Sequence, residues 1–417
     1  MKPLLLLSAV AISAQIADYP PDKVADIPVN YTDANAGAYT LPDPLQLANG
    51  KPVKDVKTWQ QKRRPELVKL FEELQFGRTP PAPKSLQYEV TDAGTKTHAG
   101  KALRKQITIF FGPGKAAPKL DLLLYTPASS TGKVPVLLNA SFTANSNAID
   151  DPGIKPGEIW NREKQRVPAA QGRAFGKVNI EPFLDAGFGF ATVYYGDIDP
   201  DFNGGIAHGV RSLFPAPQPD EWGTISAWAW GLSRALDYLE KDAAVDAKRV
   251  ALTGVSRLGK TVLWTGAHDQ RFAMVIASCS GEGGAALSRR HYGETIAHLT
   301  APTRYPYQFA QNYSKYAANP NDSPIDAHML ISLIAPRPLL LQTGNTDKWS
   351  DPKGEYLAAL AAAPVYKLFH KSAPEAKDVP PAGQTIMTTL GYHMHLGGHG
   401  MVPADWAVFL EFMKSHL

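Results

Sequence analysis

Residues 254–261 are Gly-Val-Ser-Arg-Leu-Gly-Lys-Thr, and this stretch matches two motifs with different chemistry. As Gly-x4-Gly-Lys-Thr it fits the loop that binds nucleotide phosphates through its backbone N–H groups. As Gly-x-Ser it follows an apolar strand at Arg249–Thr253 and precedes a helix, which is the setting of the nucleophile elbow in serine hydrolases. Other parts of the chain must distinguish a nucleotide-binding protein from a hydrolase.

The surroundings of the motif favour the hydrolase. A phosphate-binding loop normally follows the first strand of its domain, and an Asp at the end of a second strand binds magnesium. Here roughly 250 residues precede the motif. The next apolar strand, Phe272–Ala277, leads into Ser278-Cys279-Ser280 and carries no carboxylate at its end. The nucleotide-binding alternative would require binding of ATP or GTP with magnesium.

A hydrolytic serine needs a histidine to accept its proton and an acid to orient that histidine. In this class of fold the chain order is serine, acid, histidine. The buried-strand pattern of Arg337–Gln342 leads to a loop that contains Asp347. A short strand at Thr385–Thr389 is followed by a glycine-rich run that contains His399. We therefore predict Ser256 as the nucleophile, Asp347 as the acid and His399 as the base.

Strands alternate with helices along the chain, which predicts a mainly parallel sheet with helices on both faces. We predict strands at Ala102–Phe111, Leu120–Tyr125, Val134–Asn139 and Phe188–Tyr195, and helices at Thr58–Phe76, Trp222–Leu239 and Asp405–Leu417. The fold class is therefore α/β, with one α/β-hydrolase domain over residues 15–417 and an irregular N-terminal extension over about 15–57. The loop 140–145 is where such hydrolases supply an oxyanion-hole amide, and the polar insertion 146–175 is expected to border the site.

The composition limits the partners and the compartment. A net charge of +4 over 417 residues, without basic runs among aromatic residues, argues against nucleic acid as a partner. The single cysteine, Cys279, excludes an internal disulfide. Lys2 precedes a short apolar stretch that ends in small residues near Ala14. This pattern predicts a signal peptide over residues 1–14 and a secreted or periplasmic protein without a membrane span. The sequence does not determine the oligomeric state, and a monomer is our expectation.

Residues 254–260 resemble the Gly-x-Ser-Arg-x-Gly-Lys signature of the glucuronoyl esterases, carbohydrate esterase family fifteen, and the bacterial branch is the more similar. Further stretches fit the family: Trp59–Pro65, Ser280–Ala286, Arg289–Glu294, Leu333–Pro338, Asp347–Pro352 and Gly398–Trp406. The resemblance implies an α/β-hydrolase fold and catalysis without a metal or other cofactor. It also implies the substrate, which is the ester between 4-O-methyl-glucuronic acid on glucuronoxylan and lignin alcohols.

The elbow and the resemblance together assign the remaining site residues. The backbone N–H of Arg257 follows the nucleophile and is expected to donate to the oxyanion. By resemblance, the Arg257 side chain also reaches over the oxyanion. Lys260 lies one helical turn after Ser256, and by resemblance its ammonium group donates to a hydroxyl of the uronic acid. The resemblance further implies that Glu294 accepts from sugar hydroxyls and that Trp349 stacks on the sugar or donates to it.

Two departures from the family pattern concern the acid and the substrate loop. Many members carry the triad acid as Glu at the position of Cys279, and a thiol cannot serve as that acid. Asp347 is our choice for the acid, and Glu282 and Asp351 are the alternatives. Residues 305–307, Tyr-Pro-Tyr, stand where relatives have a segment similar to Pro-His-Trp that borders the substrate.

Two other functions fit parts of the sequence. The chain could hydrolyse simple acyl or acetyl-sugar esters. It could also be a carbohydrate-binding relative that has lost catalysis, an alternative raised by Cys279 at the position of the family's acid. His393 and His395 precede His399 on the terminal strand. Because residues two apart share one face of a strand, we interpret both as structural.

Overall fold

A ten-stranded sheet runs through the protein, whose residues 16–171 and 177–417 are described by a computed structural model. Its strands are β1 (Gln87–Thr97), β2 (Ala102–Phe110), β3 (Lys119–Pro127), β4 (Val134–Ser141), β5 (Gly189–Tyr194), β6 (Val245–Val255), β7 (Met274–Ser278), β8 (Leu339–Gly344), β9 (Thr385–Ile386) and β10 (Leu390–His395). They lie in the order β9-β10-β8-β7-β6-β4-β5-β3-β2-β1. The signal peptide predicted for residues 1–14 lies outside the described residues.

The centre of the sheet is parallel and its edges are antiparallel. Parallel pairing joins the six strands β10-β8-β7-β6-β4-β5. Strand β9 and the ribbon β3-β2-β1 pair antiparallel with their neighbours. The predicted α/β sheet is therefore confirmed, with its parallel part at the centre. Strand β1 has no counterpart among the predicted strands, because its residues are half-exposed or exposed and show no apolar periodicity.

Helices cover both faces of the sheet. The longer ones are α1 (Arg64–Phe71), α2 (Thr224–Leu239), α3 (Arg257–His268), α4 (Pro352–Leu368) and α5 (Pro403–His416). Two π-helical stretches, Trp59–Arg63 and Glu72–Phe76, flank α1, so the helix predicted at Thr58–Phe76 is continuous. Shorter α-helices are Val56–Thr58, Asn145–Ala148, Glu181–Asp185, Tyr195–Ile198, Ile296–Thr300 and Ala327–Ser332.

Apart from the large sheet and these helices, the described chain forms only small elements. Two ribbons pair Asp22–Val24 with Ile27–Val29 and Glu158–Trp160 with Arg166–Pro168. Short 3-10 helices lie at Asp33–Asn35, His98–Gly100, Ala169–Gln171, Gly205–Ala207, Val210–Leu213, Pro306–Gln308, Gln311–Tyr316 and Pro320–Asp322. Within the described ranges, no helix has both the length and the apolar composition needed to cross a membrane.

Two strands near the candidate site differ from the prediction. The strand predicted at Phe188–Tyr195 ends at Tyr194, where a short helix begins. The strand predicted at Thr385–Thr389 is the two-residue strand β9. The strand next to β8 in the sheet is β10. Polar His393 and His395 interrupt the apolar pattern of β10, so periodicity alone did not delimit this strand.

Two apolar layers hold the helices against the sheet. Successive residues of a strand point to opposite faces. In β4, Leu138 joins the layer that contacts α2, α3 and α4, whereas Leu137 joins the layer that contacts α5. Trp228 and Trp264 fill the first layer, and Phe412 belongs to the second. Full burial of one such side chain contributes about 2–3 kcal/mol, so the strand ends form a fixed base for the loops that follow them.

Residues 16–55 lie along the surface and pack near the candidate site. The ring of Tyr31 meets Tyr292 edge-on, with ring centroids 6.1 Å apart. Asp33 accepts from Arg290 Nη2 at 2.5 Å and from Lys353 Nζ at 2.7 Å. These contacts attach the N-terminal extension to the loop that leads into Glu294.

A buried carboxylate joins β10 to α5. Asp405 Oδ2 lies 2.9 Å from His395 Nδ1, and Asp405 Oδ1 lies 3.3 Å from His393 Nε2. Both histidines therefore share one strand face, as predicted. Burial alone would lower the pKa of His395, but the bond to Asp405 raises it above its ordinary value. Burial alone would raise the pKa of Asp405, but the two histidines bring it below its ordinary value.

We predict that Asp405→Asn lowers the free energy of unfolding by about 2 kcal/mol near pH 6 and by less near pH 9. The lowered pKa of Asp405 means that its contribution is lost only as the solution becomes strongly acidic. The raised pKa of His395 means that its contribution is full below the ordinary histidine pKa and is lost as pH rises through the raised value. Urea unfolding of both proteins at the two pH values checks this.

The matched control is Asp246→Asn, which breaks an exposed pair with Arg249 Nε at 2.7 Å and should change stability by less than about 1 kcal/mol. An equal loss of stability at both pH values in Asp405→Asn would contradict an ionic contribution from the histidines.

Candidate active site

Ser256 lies at a sharp turn between β6 and α3. Its backbone is at φ 60° and ψ −129°, a region that residues other than glycine seldom adopt. The Ser256 N–H donates to the carbonyl of Ser278 at 2.8 Å, and its own carbonyl accepts from Lys260 N at 3.1 Å, which starts the helix. Its side chain makes no helix-capping hydrogen bond. This strained strand–turn–helix geometry is that of a nucleophile elbow rather than that of a simple helix cap.

The glycines on either side of Ser256 permit close backbone packing. A Cβ at Gly254 would lie 2.7 Å from the carbonyl oxygen of Leu258, and a Cβ at Gly259 would lie 2.6 Å from that of Ser278. Only glycine avoids these contacts. The Lys260 ammonium lies 3.6 Å from Glu294 Oε2, and the Lys260 side chain is buried. Close packing thus explains why Gly254 and Gly259 are glycines. The lysine of the motif, Lys260, pairs with the carboxylate of Glu294.

Asp347 and His399, predicted as acid and base, are brought together. His399 Nδ1 lies 2.8 Å from Asp347 Oδ2, and Ser350 Oγ lies 3.2 Å from the same nitrogen. The Asp347 side chain is 2% exposed and the His399 side chain 42% exposed. Burial alone would raise the pKa of Asp347, but the bond to His399 and its charge bring the pKa below the ordinary value. Asp347 is therefore an anion, and its position allows it to orient the His399 ring.

The two alternative acids have other partners. Glu282 accepts from Ser288 Oγ at 2.6 Å and from Tyr313 Oη at 2.9 Å, and its burial raises its pKa to about 8. Asp351 caps α4 by accepting from Gly354 N at 3.0 Å, and it accepts from Arg290 Nε at 2.9 Å. Burial raises the pKa of Asp351 to about 6 despite that arginine. Of the three candidates, Asp347 is the carboxylate bonded to His399.

Cys279 lies beside this acid–base pair. Its thiol donates to the carbonyl of Gly400 at 3.3 Å and accepts from Gly400 N at 3.4 Å, next to His399. Burial, followed by the charge of Asp347, raises the pKa of the thiol well above its ordinary value. Among the described residues, Cys279, Asp347 and His399 form the one group of three acidic, histidine or cysteine side chains close enough to hold a metal, with ligand atoms within 4.8 Å.

Ser256 and His399 are linked through the backbone that follows β7. The structure contains no hydrogen bond between the Ser256 hydroxyl and the His399 ring. Ser278 instead accepts from Ser256 N at 2.8 Å, and the adjacent Cys279 contacts the backbone of Gly400. Catalytic hydrogen bonds of this kind are often long without substrate and tighten in the substrate complex.

The Arg257 side chain is held by Asp201, which the sequence analysis missed. Arg257 Nη1 donates to Asp201 Oδ2, and the guanidinium lies 4.7 Å from the ring centre of Tyr305. Burial alone would lower the pKa of Arg257, but the Asp201 carboxylate more than offsets it and raises the pKa. Asp201 also accepts from Tyr307 Oη at 3.1 Å and from Gln308 Nε2 at 2.7 Å. The Tyr-Pro-Tyr departure from the family pattern thus lies against the partner of Arg257.

A second group of side chains contains two charged residues, Lys260 and Glu294, together with Trp349. Glu294 Oε1 accepts from Arg304 Nη2 at 3.0 Å, and its other oxygen faces Lys260. The Arg304 guanidinium lies 5.0 Å from the Trp349 ring centre and 4.9 Å from that of Tyr305. The carbonyl of Trp349 accepts from Glu294 N at 2.9 Å. The structure therefore brings the three predicted sugar-binding residues together, with Glu294 in contact with Lys260, Arg304 and Trp349.

The polar insertion 146–175 packs against the segment that contains Asp201. Trp160 Nε1 donates to the carbonyl of Gly196 at 2.9 Å, and Arg166 Nη2 lies 2.8 Å from Asp197 Oδ1. The ring of Phe142, in the predicted oxyanion loop, meets Tyr195 edge-on with centroids 5.2 Å apart. Asp197 to Asp201 follow the carboxyl end of β5. An acidic cluster after a parallel strand is the sequence signal that could have identified Asp201.

Comparison with known proteins identifies the family. The family model described as glucuronyl esterase, fungi, matches residues 212–370. Carbohydrate esterase MZ0003, from an unknown prokaryotic organism, is 42% identical over 402 residues, which cover 93% of this chain and 92% of that protein. The glucuronoyl esterase from Solibacter usitatus superposes with a TM-score of 0.88 at 45% identity, covering 92% of this chain and 99% of its own.

A third relative is a promiscuous esterase of carbohydrate esterase family 15 from a marine bacterial metagenome. It superposes with a TM-score of 0.83 at 41% identity and covers 93% of this chain and 100% of its own. These similarities confirm the α/β-hydrolase fold. The chain belongs to the glucuronoyl esterases of carbohydrate esterase family 15, which are carboxylic ester hydrolases.

Proposed function

We propose that this protein is a serine esterase that cleaves the ester between glucuronic acid on xylan and lignin alcohols through an acyl-enzyme on Ser256. The observation that carries the proposal is the 2.8 Å bond between His399 and the buried Asp347, which the backbone at Ser278 and Cys279 links to the strained elbow of Ser256. The glucuronoyl esterase activity of the Solibacter usitatus relative supports the uronate substrate.

The triad moves one proton back and forth in each half-reaction. His399 accepts the Ser256 proton as the hydroxyl oxygen attacks the ester carbonyl, and the anionic Asp347 stabilises the resulting imidazolium. The protonated His399 then donates its proton to the oxygen of the departing alcohol. The alcohol is released, and the acyl group remains bound to Ser256 as the acyl-enzyme. Water repeats the sequence and releases free glucuronate and Ser256. In each half-reaction, the Arg257 N–H stabilises the tetrahedral oxyanion, and one such donor contributes about 3 kcal/mol.

Sugar recognition is proposed for the group around Glu294. Lys260 is 5% exposed and lies one turn from Ser256, so its ammonium can reach a hydroxyl of an acyl group held on the serine. Glu294 can accept from sugar hydroxyls, and the Trp349 ring offers a stacking face. Arg304 joins them as a further donor.

A broader ester specificity is the second candidate. The family 15 esterase from the marine metagenome, at 41% identity, is described as promiscuous. The Tyr-Pro-Tyr segment of this chain changes the loop against Asp201, which also favours a substrate range different from that of typical members. Simple acyl or acetyl esters are therefore alternative substrates.

We also propose that the protein acts outside the cytoplasm as a monomer. The apolar stretch that follows Lys2 and ends in small residues supports export. The alcohol side of the ester is assigned to lignin by family resemblance alone.

We predict that the purified protein hydrolyses benzyl glucuronate and that Ser256→Ala and Asp347→Asn each lower kcat by about a thousandfold or more. Removing the nucleophile stops acylation, and removing the acid leaves the histidine in the wrong tautomer. Steady-state kinetics check this. Glu282→Gln is the control because its carboxyl is bonded to Ser288 and Tyr313. Activity that survives Asp347→Asn would move the acid elsewhere, and an inert wild type would refute the esterase proposal.

We predict that Lys260→Met lowers kcat/KM for methyl glucuronate by about 10- to 100-fold and changes kcat/KM for 4-nitrophenyl acetate by less than about threefold. Acetate has no hydroxyl for the ammonium group to contact. Lys69→Met, which removes a lysine side chain that is 71% exposed, is the control and should affect neither substrate. Equal losses on both substrates would place Lys260 in the general chemistry rather than in sugar recognition.

We predict that Asp201→Asn lowers kcat for benzyl glucuronate by about tenfold with a smaller effect on KM, because Arg257 acts on charge that develops in the transition state. Asp220→Asn breaks a more exposed pair with Arg78, 2.7 Å apart, and serves as the control. An Asp201→Asn enzyme with wild-type kcat would show that Arg257 needs no carboxylate partner.

A further inference from the structure

One short backbone segment touches all three parts of the proposed triad. This segment, Ser278–Gly281, follows β7. The carbonyl of Ser278 accepts from Ser256 N at 2.8 Å. The Cys279 thiol contacts the backbone of Gly400, next to His399, and its sulfur lies within 4.8 Å of an Asp347 oxygen. Any shift of this segment therefore changes the relative positions of nucleophile, acid and base.

A buried glutamate holds the far end of the segment. Glu355 lies in the first turn of α4 and is 0% exposed. Its Oε1 accepts from Gly281 N at 2.6 Å and from Ser280 Oγ at 3.1 Å. Ser280 Oγ also accepts from Ala285 N at 3.0 Å, which ties the segment to the loop that follows. Glu355 is thus attached to the triad through Ser280 and Gly281.

The surroundings of Glu355 disfavour its charged form. Its second oxygen, Oε2, is buried and has no hydrogen-bond partner among the described residues. A charge on that oxygen would be unsolvated, which costs far more than burying a neutral group. Burial, together with the charge of the nearby Asp347, raises the pKa of Glu355 to about 8, although the bonds from Gly281 N and Ser280 Oγ and the charge of Lys260 lower it. Cys279 and Tyr392 are the other titratable groups that face it.

We propose that Glu355, as a neutral carboxylic acid, is the positioning residue that fixes the Ser278–Gly281 segment beneath the catalytic triad, and that its ionisation sets the alkaline limit of activity. Ionisation would place a second buried negative charge beside Asp347. It would also attract the Lys260 ammonium away from the sugar. The inference rests on the proposed esterase function, because the triad is the element being positioned.

Glu282 offers a matched comparison within the same chain. It is also buried, and burial likewise raises its pKa to about 8. Its hydrogen bonds go to Ser288 and Tyr313 instead of the segment beneath the triad. Glu355 and Glu282 therefore differ mainly in their hydrogen-bond partners, because only Glu355 is bonded to the Ser278–Gly281 segment.

The experiment compares wild type, Glu355→Gln and Glu282→Gln by the pH dependence of kcat/KM for benzyl glucuronate and by the downfield proton resonance of the His399 N–H bonded to Asp347. We expect Glu355→Gln to remain within about threefold of wild type near neutral pH, because the amide oxygen can accept the same two bonds. Above about pH 8, wild type and Glu282→Gln should lose roughly tenfold in kcat/KM together with the resonance, while Glu355→Gln keeps both.

A wild-type profile without this alkaline loss, or one that Glu355→Gln leaves unchanged, would overturn the proposal. Ser280→Ala provides a second variant. It removes a donor that stabilises the ionised carboxylate, so the alkaline loss should move to higher pH, and an unshifted loss would also count against the proposal. The resonance separates the two hypotheses: an inert wild type whose resonance still follows Glu355 refutes the esterase function but supports the positioning role.

Discussion

The close approach of α3 to the end of β7 is the constraint on which the site depends. The 2.8 Å bond from Ser256 N to the carbonyl of Ser278 brings the nucleophile elbow against the neighbouring strand. Gly259 must lack a Cβ for this contact, since a Cβ would lie 2.6 Å from the same carbonyl oxygen. The two apolar layers on either side of the sheet keep both strands in place. The strained backbone of Ser256 is therefore held by packing that extends far beyond the site.

The charges of the site are held in pairs that leave little freedom. Arg257 is fixed by Asp201 on one side and by the Tyr305 ring on the other. Glu294 is shared between Lys260 and Arg304. Because these groups are already oriented, they need not reorganise when charge develops on a substrate, which is the main source of electrostatic catalysis.

Local patterns in the sequence were sufficient for the sheet centre and for the Asp347–His399 pair. The strands of the sheet centre are mostly continuous apolar runs, and Ser256 and Asp347 each follow one of them. His399 was placed by the glycine-rich run that contains it. Asp201 also follows a buried strand, but its role could not be derived from chain order, because its partners Arg257 and Gln308 lie 56 and 107 residues away. Edge strand β1 was missed because its half-exposed and exposed residues show no apolar periodicity. Strand β10 was misplaced because His393 and His395 interrupt its apolar pattern. No sequence pattern identified Glu355, because its contacts depend on the packing of α4 against the segment after β7.

The exposure of His399, the proposed base, has a consequence for the fate of an acyl-enzyme. The His399 side chain is 42% exposed even though its acid is almost fully buried. An acyl group on Ser256 would therefore be open to bulk water on the histidine side, and a leaving alcohol could diffuse away without displacement of a lid. Water would then reach the acyl group directly, so hydrolysis of the acyl-enzyme would require no opening of the site. An exposed His399 is also compatible with an ester bond inside a polymer, because the polymer chains on either side of the ester can remain in solvent.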